Sequence, residues 1–94
     1  MRRGTTPILK FKTGQDWTGY ELQLTLEDDD TELTFTGDRL QIDGTDVLVK
    51  LTQEETLQFN KKCKAQIKGK LGDTVIATDI ANIKVLPILN EEVI

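Results

Sequence analysis

Ninety-four residues, with Lys+Arg 12 against Asp+Glu 16, describe one acidic domain of net charge −4. The chain has no His and no Ser, so Ser-His-Asp, Cys-His and His-ligated metal chemistries cannot be assembled from it alone. The acidic balance supplies no electrostatic footprint for nucleic acid or an anionic membrane, and no cofactor is expected.

Hydrophobic residues at 37% and charged residues at 30% are polar for a globular domain, but not disordered. A chain this short buries roughly 60–65% of its unfolded surface, so its stability margin as a monomer is modest. The single Cys63 forms no internal disulfide. No run approaches the ~20 apolar residues of a membrane span. Nor does an apolar run follow the charged Met1–Gly4, so no signal peptide is expected and the cytoplasm is the expected location.

In chain order, Pro7–Lys12 reads as a first strand and Thr13-Gly14 as its turn. Trp17 follows at a loop-to-strand junction, where it either plugs one end of the core or anchors a partner. Tyr20, Leu22, Leu24 and Leu26 alternate with Glu21, Gln23, Thr25 and Glu27, the pattern of a half-buried strand. The acidic run Glu27–Asp30, with Glu32, is either a cation loop or a solvated hairpin turn. It lacks the alternating ligands and glycine of a calcium loop, which favours the turn.

Thr31–Phe35 and Leu40–Ile42 read as short strands, with Gly37-Asp38 and Asp43-Gly44 as turns. Val47, Val49 and Leu51 form a second alternating set. Thr52-Gln53-Glu54-Glu55 is a capping box, which predicts a short helical turn near residues 53–59, pinned by burial of Leu57 or Phe59 and crossing between sheets. Cys63, Ala65, Ile67, Gly69 and Leu71 form the third alternating set, backed by Lys62, Lys64, Gln66, Lys68 and Lys70. In such a strand Cys63 is a small buried side chain, and the lysine file is a solvated face.

The run Asp73–Leu86 changes parity near Asp79–Ile80. A one-residue bulge or a sheet switch repairs the phase; coverage of both faces is the alternative, and the bulge is preferred. Residues 1–86 are therefore expected to form a single all-β domain, a sandwich or small barrel. Residues 87–94 are a C-terminal aliphatic tail carrying Ile88, Leu89, Val93 and Ile94, which packs on the parent domain or docks on a neighbouring subunit.

The opening Met1-Arg2-Arg3-Gly4-Thr5-Thr6-Pro7 resembles the start of a family of small proteins from tail gene clusters of phages and prophages of Gram-positive bacteria. Val47–Leu57 followed by Phe59, then Ala77-Thr78-Asp79-Ile80 and the ending Asn90–Ile94, are similar to further segments of that family in the same order. The loop Gly14–Gly19 departs most from its pattern. The resemblance implies an immunoglobulin-like antiparallel β-sandwich of about seven strands and a relation to the N-terminal domain of baseplate upper proteins. It also implies a non-enzymatic virion structural or assembly role, with partners among other tail proteins or further copies of itself and a final place in the virion tail. The residues expected to make those contacts are Ile88, Leu89, Val93 and Ile94, then Trp17. Two rival expectations stand beside it: a carbohydrate-binding module for the host surface, which needs exposed aromatic rings, and a metal-dependent enzyme using the acidic loop.

Overall fold

The computed structural model describes residues 1–94 and is mostly β, its regular elements being strands apart from one short helix and one 3₁₀ turn. In chain order these are β1 (Ile8–Lys12), β2 (Glu21–Glu27), β3 (Glu32–Thr36), β4 (Leu40–Asp43), β5 (Asp46–Lys50), β6 (Lys62–Leu71), β7 (Thr74–Ala77) and β8 (Ala81–Lys84). One short helix, α1 (Gln53–Leu57), lies between β5 and β6, and a 3₁₀ turn (Gly37–Arg39) joins β3 to β4. The strands make two antiparallel sheets. A smaller one runs β1-β5-β4; a larger one runs β3-β2-β6-β7, with β8 also paired to β6. No helix is long and apolar enough to cross a membrane.

The period-two pattern explains why the sheets stack. Leu24 and Leu26 of β2, Phe35 of β3, and Cys63, Ala65 and Ile67 of β6 turn inward from the large sheet. Val47 and Val49 of β5 meet them from the small one, joined by Leu51 and Phe59 from the ends of the crossover. Leu9, Phe11, Leu22, Ile76 and Ile83 pack half-buried around this core. Leu71 departs from the expected inward set: β6 overruns the end of the sandwich, and this side chain is 46% exposed.

Tight turns fix the register. Asp43 faces Asp46 across a two-residue turn in which Gly44 takes φ 63°, the left-handed conformation that such hairpins require of their first central residue. The change of parity after Asp73 is a bulge. Ala65 faces Ala81 and Lys68 faces Ala77, so Gln66-Ile67 on β6 stand opposite Thr78-Asp79-Ile80. Thr78 repairs the broken ladder: its N–H donates to the Ile67 carbonyl (2.9 Å) and its Oγ1 accepts the Ile67 N–H (3.1 Å). Gln66 Nε2 donates to the Thr78 carbonyl (2.8 Å). Ile76 and Ile83, of opposite parity in sequence, therefore both pack against the core.

The helical turn forms as its capping box predicts. Thr52 Oγ1 accepts the Glu55 N–H (3.2 Å), while the Glu55 carboxylate accepts the Thr52 N–H (2.8 Å). Phe59 is fully buried and pins it. So does Thr56, a threonine with no exposed surface. The Thr56 hydroxyl accepts from the Thr5 N–H (3.1 Å) and lies within donating distance of the Thr5 and Gln53 carbonyls.

Trp17 closes the core, and this corrects its reading as a partner contact. Its ring is 1% exposed, its Nε1 donates to Thr13 Oγ1 (2.8 Å), and Tyr20 meets it edge-on at 5.6 Å. The indole lies over Gly69, where an added Cβ would stand 2.6 Å from Trp17 Cζ3. Glycine is thus required in mid-strand by close approach rather than by backbone angle. Gly69→Ala is expected to destabilise the fold by about 1–3 kcal/mol through overpacking, less the ~0.4–1 kcal/mol regained from the unfolded chain. Urea unfolding followed by Trp17 fluorescence measures it, and an unchanged midpoint would contradict this packing.

Candidate interaction surface

The termini are tied together. The Arg3 N–H donates to the Leu86 carbonyl (3.0 Å), and the Leu86 N–H donates to the Met1 carbonyl (2.7 Å), forming a parallel bridge between Arg2 and Leu86. The Arg3 side chain, mostly buried, donates to the carbonyls of Phe59 (2.6 Å) and Leu57 (2.7 Å), capping the end of α1, and it pairs with Glu91. Arg2 Nη1 donates to the Pro87 carbonyl (2.6 Å). These bonds carry the chain past β8 onto the α1 end of the sandwich.

The tail so positioned divides in two. Ile88 is half-buried, its methyls against Gly4 on the side where Leu57 also packs. Leu89 and Ile94 are fully exposed, and Val93 is half exposed. The Ile94 N–H donates to Gln53 Oε1 (3.1 Å), so the segment lies along the domain while its aliphatic groups face water. Of the tail aliphatics, Ile88 thus packs on the parent domain, and Leu89, Val93 and Ile94 do not. Trp17 does not join them.

The other candidates resolve into structural roles. In the acidic turn, the Asp28 carboxylate accepts the backbone N–H groups of Asp30 (2.9 Å) and Thr31 (2.8 Å), an arrangement that shapes the hairpin. No group of three or more His, Cys, Asp or Glu side chains converges in a metal-holding arrangement. Cys63 is buried in β6, and burial, with the nearby Asp28 charge, pushes its thiol up to about 11. All five aromatic rings are buried or half-buried. Lys62, Lys64, Lys68 and Lys70 lie exposed on the outer face of the large sheet.

Two further features bear on recognition. A cleft of about 560 Å³ opens between the edge of β1 and the bulged β7/β8 edge; Lys12, Phe11, Trp17, Ile76 and Ala81 are among its walls. At the opposite corner Arg39 bridges three elements: it pairs bidentately with Glu55 (2.7 and 3.1 Å), donates to the Lys50 carbonyl (3.1 Å) and sits 4.8 Å from the Phe35 ring. Sequence reading missed Arg3, Thr56 and Arg39. For Arg3 the one available signal was its place beside an N-terminal segment with no strand pattern of its own.

No protein-family model matches this chain, and no curated protein or solved structure is similar to it.

The Arg39–Glu55 pair gives a pH dependence. Partial burial pushes the Glu55 carboxyl up, but hydrogen bonds from Arg39 and Thr52 and the Arg39 charge outweigh it and lower the pKa below the ordinary 4.5. A lowered folded-state pKa contributes stability that is complete above the unfolded value and is lost as pH falls through the folded one. Glu55→Gln is therefore expected to cost about 1 kcal/mol at neutral pH. The difference from the parent should shrink as the solution is acidified below the carboxylate range, measured by thermal melts across pH; a constant difference would contradict it.

Proposed function

We propose that this chain is a non-enzymatic structural or assembly protein of a phage tail, working through protein–protein contacts made by its C-terminal segment. The observation that carries this reading is the tail itself. Hydrogen bonds from Arg2 and Arg3 anchor it at Pro87 and Glu91, yet Leu89 and Ile94 stand wholly in water. Large aliphatic side chains held out from a small domain favour a partner's surface, because their burial removes apolar area from water. The likeness of Met1–Pro7, Val47–Leu57 and Asn90–Ile94 to tail-cluster proteins supports the virion context.

An immunoglobulin-like arrangement is the finer reading of the fold. The order β3-β2-β6-β7 supports it, since immunoglobulin sandwiches place two strands and their later partners side by side in this way. The smaller sheet has three strands, where the constant-type domain has four.

Replacing Leu89 and Ile94 together by Ser tests the contact role, because neither contributes to the core. The expected outcome is an unchanged melting temperature with loss of association, read as loss of recovery with tail proteins from induced lysogens. Recovery equal to that of the parent would contradict the proposal.

A further inference from the structure

The sandwich has four free edges, and their charges differ. The edge strand β3 carries Glu32 and adjoins the acidic turn, and β4 carries Asp43. The β7/β8 edge is interrupted at Thr78–Ile80, with Asp79 exposed, and a bulged edge presents no continuous ladder to a new strand. β1 alone is continuous, free of acidic residues and basic, with Lys10 and Lys12. Lys10 pairs with Asp46 (3.3 Å), whereas Lys12 has no carboxylate within salt-bridge distance.

Beside this edge the two sheets are unequal in width. Three strands of the small sheet face four positions across the large one. The cleft lies on the β1 side, where Ile76 is only half-buried and Ala81 is exposed. One more strand beside β1 would extend the small sheet and cover them.

We infer that the free edge of β1 accepts the C-terminal segment Leu89–Ile94 of a second copy of this chain as an added strand. The inference rests on the proposed contact role of the tail and names its acceptor. Residues 89–94 belong to no strand, and an extended piece of that length, at ~3.3 Å per residue, matches the five residues of β1. Its charge is complementary. Glu91 is held by Arg3 of its own copy, but the Glu92 carboxylate has no cationic partner and suits the unpaired Lys12. Lysines on an edge discourage apolar strands, and here the same lysines select an acidic one. On such a strand Leu89 and Val93 share the face that covers Phe11 and Ile76 in the cleft, while Ile94 falls on the outer face with Glu92, the face of Lys10 and Lys12. Donor segment and acceptor edge are different surfaces, so the contact is heterologous and builds rings or longer arrays.

Sedimentation velocity of the full chain over a range of concentrations tests this with two double variants, Lys10→Glu/Lys12→Glu and Leu89→Ser/Ile94→Ser. The parent should self-associate, and each double variant should weaken association by roughly tenfold or more, the charge reversal acting mainly at low salt. Oxidising a mixture of Lys12→Cys and Glu92→Cys chains, which the proposed pairing puts on one face, should give cross-linked dimers that neither variant gives alone, since Cys63 is buried. Association lost in the tail variant but kept in the lysine variant would overturn the β1 site while leaving the tail's contact role standing. A parent chain monomeric at every concentration, with no cross-link, would overturn the self-assembly outright.

Discussion

The fold depends on what β6 can place inward. This strand pairs with β2 along one edge and with β7 and β8 along the other, so both halves of the large sheet take their register from it. Its inward residues are Cys63, Ala65, Ile67 and Gly69, three of the four small, and each is buried. Small side chains there make room for two large rings, Phe59 from the crossover and Trp17 from the loop before β2. A larger residue at Gly69 displaces the indole, and with it the Thr13 hydroxyl that receives Nε1 and itself donates to the Thr45 carbonyl (2.7 Å). Packing in so thin a domain leaves few alternatives for volume that does not fit.

Polar groups do the rest of the joining, at the ends where the sheets stop. Arg3, Thr56 and Arg39 each satisfy backbone carbonyls or N–H groups near α1 that no strand could reach. No buried side-chain nitrogen or oxygen is left without a partner. The consequence is a domain whose chain termini leave on the same side as the crossover, with the aliphatic tail displayed beyond it. The proposed contact role starts from that placement.

Much of this was legible in the residues. Strict alternation in Tyr20–Glu27 and Lys62–Leu71 gave the strands because one face of each is wet, and a one-residue slip would exchange the faces. The phase break at Asp79 was readable for the same reason, and the capping box at Thr52–Glu55 marked the helical turn. What alternation does not encode is partnership across the sequence. Arg3 reads as a charged end until Phe59 and Leu57 are folded beneath it, and Thr56 reads as one more polar helix residue until Thr5 arrives. Trp17 lies in a loop without period, so its neighbours favoured a core plug over a surface anchor without deciding between them. The exposure of the tail depended on Arg2 and Arg3 in the same way, through contacts some 85 residues apart in sequence.

The central claim is that contact, through an acidic aliphatic tail and a basic strand edge, is what this domain is built for. Amide hydrogen exchange of the full chain, compared at low and high concentration, addresses it most directly. Protection that rises with concentration in Ile8–Lys12 and Leu89–Ile94, while β2 and β6 stay equally protected, is the result predicted. Identical exchange in both segments at every concentration would contradict it.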